Sequence, residues 1–242
     1  MSEWRTYSLS DFLLFSASTY RRLFEIYNLQ VWPVHGLAIL LGVGVAVLLW
    51  RGGRRWRLAC AGLAIAWAWV AWAFLVQHYS SINWAAWYLA GAFGVQAGLL
   101  VVAAAVTPGR TGADGASPAR WVAAALIAFG LLVQPFVGPL LGRPWSQAEV
   151  FGMVPDPTVT VTLGMLAAAP RSRIITLLWP VPLLWSAASA ATLWTMHEPD
   201  AAVMPVVAAL AVAAAAWRPQ PRQAPGSAQA GSTKERVRPD SW

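Results

Sequence analysis

Seven apolar stretches, at about 31–50, 58–77, 84–106, 121–142, 156–169, 174–195 and 201–217, take up most of this 242-residue chain. A helix crosses the ~30 Å of bilayer hydrocarbon with about 20 apolar residues. Six of the stretches come near that length, and the fifth falls short. The chain is 58% hydrophobic and only 11% charged, with sixteen Trp, which is membrane-protein composition. The expected fold is all-α and integral to the membrane. It is a bundle of about seven transmembrane helices in one domain over residues 31–217.

The basic residues give the bundle a direction. Of seventeen Lys and Arg, thirteen fall in alternate connections: Arg51, Arg54, Arg55 and Arg57; Arg110 and Arg120; Arg171 and Arg173; and five in the tail. Basic residues stay on the cytoplasmic side of short loops, so the expected topology is N-out, C-in. The outward connections hold Arg5, Arg21, Arg22 and Arg143, all three His and seven of the ten acids. The net charge of +7 is thereby explained without nucleic acid as a partner. The Ala- and Arg-rich bias suggests a bacterial plasma (inner) membrane. MSEWRTYSLSD is too polar to open a signal peptide, and Phe12 to Phe15 is too short for its apolar core. A single cysteine, Cys60, excludes an internal disulfide and a thiolate metal cluster.

Residues 1–30 read as an outward-facing interfacial segment. Tyr20, Leu23, Phe24 and Tyr27 fall on one helical face, with Ser18 as the expected N-cap and Arg21 to Glu25 as an i,i+4 pair. Ser8 to Asp11 resembles the start of a shorter helix before it. Such a segment is either an anchor or a lid over an outward cavity. Residues 218–242 are polar, Pro-rich and basic, and are expected to be a disordered cytoplasmic tail. Trp32, Trp50, Trp84, Trp121, Trp145 and Trp194 mark span boundaries. Trp67, Trp69, Trp72, Trp179 and Trp185 lie deeper and read as packing or lipid contact.

The chemistry concentrates around the fifth span. Ser146 to Glu149 matches a capping box, and Pro155-Asp156-Pro157 follows. Asp156 is the expected N-cap, with Pro157 at the first helical position. Fourteen residues rise only about 21 Å, which places Asp156 about 9 Å inside the outer boundary. An acid at that depth is a functional candidate. Thr158 and Thr162 follow on one face, as a polar lining or bonded back to their own helix. His35, His78 and His197 all lie at outward span ends. Three imidazoles there could hold zinc or another divalent metal with one open position, although no H-E-x-x-H or other close His spacing supports it. Ser186, Ser189 and Thr192, and the Gly94/Gly98 pair, read as helix packing. Pro180 and Pro182 should break the sixth span. Gln77, Gln96 and Gln134 place amides in or near spans. No Walker loop, GxGxxG, GxSxG or CxxC is present.

Four blocks carry a resemblance: Tyr7 to Phe15 with Tyr20 to Asn28; Asn83 to Ala86; Gly152 to Thr158 with Thr162 to Gly164; and Leu184 to Ser186 with Thr192 to Trp194. Together they resemble an uncharacterised bacterial family of polytopic membrane proteins known only as a domain of unknown function. The likeness covers nearly the whole chain to about residue 215. It implies the membrane fold and no activity. The span number and scattered His, Asp and Ser are also similar to the alkaline-ceramidase-like membrane hydrolases, with Glu25 to Asn28 echoing an acidic-x-x-Asn start. The paired H-x-x-x-H of those enzymes is absent.

Three functional readings result. The first is a membrane protein that binds or moves a small solute or ion at an outward-facing site lined by Asp156, Thr158, His78, Asn83, His197 and Glu149. The second is a metal-dependent intramembrane hydrolase using His35, His78 and His197, with Asp156 as base. The third is a non-catalytic accessory or assembly protein in which these residues only cap and pack. No catalytic residue is assigned and no resident cofactor is required. The expected partners are the lipid bilayer and a small solute or ion, with homo-oligomerisation left open.

Overall fold

The structure, a computed structural model, describes residues 15–107 and 117–217. The helix start expected at Ser8 to Asp11, the Arg110 connection and the basic tail lie outside them. The described residues are helical and contain no strand. The helices are α1 (Ala17–Val31), α2 (Val34–Arg51), α3 (Arg55–Trp69), α4 (Ala86–Val106), α5 (Pro118–Ala128), α6 (Gln134–Leu140), α7 (Pro155–Ala168), α8 (Arg173–Leu177), α9 (Pro180–Thr195) and α10 (Val203–Ala216).

Five helical segments among the described residues are long and apolar enough to cross a membrane: Val34–Arg51, Arg55–Ser81, Ala86–Val106, Pro118–Leu140 and Arg173–Thr195. The fifth and seventh apolar stretches form α7 and α10, each of fourteen residues. Two long segments widen into π-helical turns, at Val70–Val76 and Phe129–Val133. The second precedes Pro135, whose ring would strike the Leu131 carbonyl in a regular helix. The sixth stretch breaks as its prolines require. α8 stops at Leu177, and α9 restarts with Pro180 at its first position. Pro182 has no N–H for the Leu178 carbonyl, and the buried Gln96 of α4 donates to that carbonyl at 3.1 Å. This gives the mid-span glutamine a structural task.

α7 is the axis of the bundle. Twelve of its fourteen residues are buried, and it packs against α3, α5, α9 and α10. Its composition suits that place. Val, Thr, Gly, Leu and Met leave no long charged side chain to accommodate, and each neighbour meets a different residue. Thr162 accepts from Trp67 Nε1 of α3 at 2.9 Å. Thr160 reaches Met204 Sδ of α10 at 3.7 Å. Gly164 lies against α5, where an added Cβ would sit 2.8 Å from Ile127 Cγ1 and 3.0 Å from the Ala123 carbonyl. The Gly94/Gly98 pair does not serve this purpose, because a Cβ at either meets nothing within 4 Å. The close helix approach is made by Gly164 and Gly130, the latter with its added Cβ 3.0 Å from Thr160 and Val161 methyls.

α1 covers one end of the bundle. It is capped by Ser16, which accepts from Thr19 N at 3.2 Å, and not by Ser18. Arg22 pairs with Glu25 at 2.7 Å, while Arg21 crosses to Glu198 at 2.5 Å. The Arg21 to Glu25 pair is therefore replaced, because a distant carboxylate lies closer to Arg21. The apolar face of α1 packs on the protein itself: Phe24 and Tyr27 rings stand 5.2 and 5.3 Å from Phe74.

Gly164→Ala is expected to destabilise the fold by about 1–3 kcal/mol through overpacking, while Gly94→Ala leaves stability equal or raised. Thermal unfolding of the two variants in one detergent checks this.

Candidate functional site

The end of the bundle under α1 gathers the acids. Two helix ends set the geometry by the same device. α6 closes with Gly142 at φ 86°. Arg143 N donates to Gly138 O at 3.0 Å and Gly142 N to Pro139 O at 3.1 Å. α9 closes with His197 at φ 55°. Glu198 N donates to Leu193 O at 2.9 Å and His197 N to Trp194 O at 3.0 Å. Both are Schellman turns, and each delivers a charged residue just past its left-handed position. Arg143 then pairs with Asp200 in a largely buried ion pair. Glu198 pairs with Arg21.

Asp156 does not cap α7. Val154 holds the cap position and Pro155 opens the helix. With no capping task, the Asp156 carboxylate turns towards α9, where Trp185 Nε1 donates to Oδ1 at 2.6 Å and Ser189 Oγ donates to Oδ2 at 2.8 Å. Trp185 and Ser189 stand one helical turn apart, so one face of α9 addresses both oxygens. The expected capping-box helix at Ser146 is also absent. Residues Trp145–Gln147 form a 3-10 turn followed by extended backbone, because Asn28 of α1 takes the carbonyls of Ser146 and Ala148 at 2.8 and 2.9 Å. Tyr27 adds a bond to the Met153 carbonyl at 2.8 Å. α1 thus fixes the segment that carries Glu149.

Glu149, Asp156, Asp200 and Gln134 line a small enclosed cavity with room for about one water molecule. Asp200 and Gln134 are 7% and 4% exposed, and Asp200 Oδ1 and Gln134 Oε1 have no partner. Two buried acceptors and two further carboxylates therefore meet at one cavity, with Arg143 as the cation beside them. Burial, followed by the like charge of Asp156, raises the Glu149 carboxyl to about 8. Arg143 opposes the shift, and Asp200 adds to it. On its other side, Arg143 lines a surface depression with Arg21, Gln147, His197 and Glu198.

The remaining expected residues have other tasks. Thr158 Oγ1 donates to Val154 O at 2.8 Å and accepts from Gly152 N at 2.9 Å. Asn83 accepts from Ala85 N at 3.0 Å, starting α4, and donates to the Tyr79 hydroxyl at 3.1 Å. The three histidines do not converge. His35 meets Asn28 at 3.2 Å, and His78 lies between Gln30 and the Ala73 carbonyl, both at 2.6 Å. His197 serves the α9 turn. Among the described residues, no three His, Cys, Asp or Glu are grouped to hold a metal ion. Each histidine is tied to a different element.

The residues matched to known proteins span this whole arrangement. The chain belongs to the family of unknown function DUF6064, whose match covers residues 17–223. No curated protein and no solved structure matches the chain. The match begins at α1 and includes every residue of the cavity. DUF6064 membership agrees with the resemblance drawn from the Tyr20, Asn83, Asp156 and Trp185 blocks.

Sequence reasoning named Asp200 only as a candidate carboxylate beside the histidines and did not assemble Arg143, Gln134, Trp185 and Ser189 into the site. A signal existed for two of them: Trp185 and Ser189 at i,i+4, facing an acid that has to be buried.

Two outcomes test the site. Arg143→Met is expected to cost about 3–5 kcal/mol by leaving Asp200 buried without its cation, and Arg143→Met with Asp200→Leu to regain most of that. Chemical denaturation of the single and double variants measures both. The second concerns pH. A carboxyl raised on folding contributes stability fully below its unfolded value and loses it as pH rises through the folded value. The stability of the wild type relative to Glu149→Gln should therefore fall from about pH 4.5 to about pH 8 and then level off. A flat difference across that window refutes the raised Glu149 carboxyl.

Proposed function

We propose that this chain is a multi-pass membrane protein of seven spans, N-out and C-in, which binds a small cation, foremost a proton, at its outward end. The observation that carries the reading is the cavity between Glu149, Asp156, Asp200 and Gln134. Three carboxylates face one guanidinium, and two buried acceptors lack donors. A proton or a protonated water is the smallest ligand that supplies those donors, and the cavity is of that size. Asp156, held by Trp185 and Ser189, is the positionally fixed member. Glu149 is the member that takes up and releases the proton. Access runs from the outer depression past the Arg143–Asp200 pair, so opening that pair is the step that admits a solute or ion. α10 and α7, each of fourteen residues, then cross only where longer neighbours surround them.

The accessory-protein reading keeps support from Thr158, Asn83 and His197, which cap and turn the chain. The hydrolase reading gains none from the separated histidines.

Infrared titration of the purified full-length protein tests the proposal. The wild type is expected to show a protonated-carboxyl band that disappears around pH 8 and is missing in Glu149→Gln. Ordinary titration below pH 5 would sink it. In proteoliposomes under a pH gradient, Asp156→Asn is expected to abolish any ion flux the wild type supports.

A further inference from the structure

A second site lies at the opposite, arginine-rich end and does not involve the acidic cavity. α2 packs along α3 and meets the Pro118–Leu140 segment at its Phe129–Val133 turn. Towards Arg51 the two segments leave a groove of about 590 Å³. Its lining is aliphatic and aromatic along its length, and its floor includes the buried Met165 of α7 and Trp56 of α3. Its walls carry small residues, among them Ala46 and Ala124, which keep it open. Its only charged lining residues, Arg51 and Arg120, stand at one end.

Arg120 is fixed there. Its guanidinium lies 4.4 Å from the Trp50 ring centroid, and Nη2 donates to the Trp50 carbonyl at 3.3 Å. Trp121 adds a ring 5.8 Å from Trp50, and paired indoles of this kind mark the headgroup level of a bilayer. The two ends of the protein treat arginine differently. At the acidic end, Arg21, Arg22 and Arg143 each have a carboxylate partner. Among the described residues, no carboxylate pairs with Arg51 or Arg120, and an apolar channel leads away from them.

We propose that the groove between α2 and α5 seats an acyl chain of an anionic phospholipid, with its phosphate held by Arg51 and Arg120. The guanidinium groups supply paired N–H donors to phosphate oxygens. The aliphatic walls complete a packing surface for the acyl chain, which a zwitterionic lipid would fill equally but without the net charge contact at the arginines. The site rests on the membrane reading of the long apolar helices and is independent of proton binding at the acidic end.

Native mass spectrometry of the full-length protein in detergent tests it, with three probes: phosphatidylglycerol, phosphatidylcholine with the same acyl chains, and inorganic phosphate. The wild type is expected to retain one phosphatidylglycerol at about 25-fold lower concentration than phosphatidylcholine, since each of the two arginines near a headgroup favours the anion by about five-fold. Arg51→Gln with Arg120→Gln should bring the two lipids level. Ala124→Phe, or Val47→Trp at the partly exposed wall if the first variant unfolds, should weaken retention of both lipids with the arginines intact. Equal retention of the two lipids by the wild type would overturn the proposal, as would a preference that survives the double arginine change. Displacement of phosphatidylglycerol by inorganic phosphate at equal concentration would show an anion site without a lipid chain. A dimer that excludes lipid and dissociates in Ala124→Phe would assign the groove to a second copy of the chain. Each of the last two outcomes also refutes the lipid assignment.

Discussion

The rest of the structure depends on the all-round burial of α7. A helix with neighbours on every side cannot send a long charged side chain anywhere, so its sequence is restricted to small, branched and hydroxyl residues. Gly164 lets α5 approach to backbone contact. Thr162 turns a hydroxyl to Trp67, and it also bonds back to the Thr158 carbonyl at 2.8 Å, so it stays satisfied where water is excluded. The single ionisable residue, Asp156, sits in the first turn, where free N–H groups favour negative charge. Its two oxygens are held by α9. The same residue thus locks two central helices and lines the acidic cavity.

Around that axis the protein separates its charges by end. At one end, arginines meet carboxylates in pairs supplied by turns far apart in sequence. Two Schellman turns, one through Gly142 and one through His197, place Arg143 and Glu198 at equivalent positions and send them to different partners. The histidine does at φ 55° what glycine does at φ 86°, at a steric cost that the buried neighbours have to offset. At the other end, Arg51 and Arg120 flank a groove, with no carboxylate partner among the described residues. A bundle built this way carries its paired acids at one end and guanidinium groups beside an apolar groove at the other.

Much of the fold was legible because its cause is local. Apolar run length gave the helices, Pro180 and Pro182 gave the break, and the arginine distribution separated the two ends. Asp156 was legible as an outlier, since an acid between prolines at the mouth of an apolar stretch has few bland explanations. Its exact task was not. The sequence pattern Asp-Pro favours a cap, and only the face of α9 carrying Trp185 and Ser189 redirects the carboxylate. The glycine contacts failed for the same reason: Gly94 and Gly98 have the familiar spacing, yet Gly130 and Gly164 face a neighbouring backbone. Spacing describes one helix, whereas close approach is a property of two.

The sequence by itself determined that this chain makes long apolar helices, that arginines gather at one end, and that histidines and acids gather at the other. Those are consequences of hydrophobic length and charge placement, which each segment carries alone. Tertiary structure decided which acids share a cavity, that the histidines stay apart, and that Arg143 belongs to Asp200 while Arg51 and Arg120 belong to no carboxylate of the described chain. Pairing of this kind depends on which turns meet across more than fifty residues of sequence, and packing around a buried central helix is what brings them together.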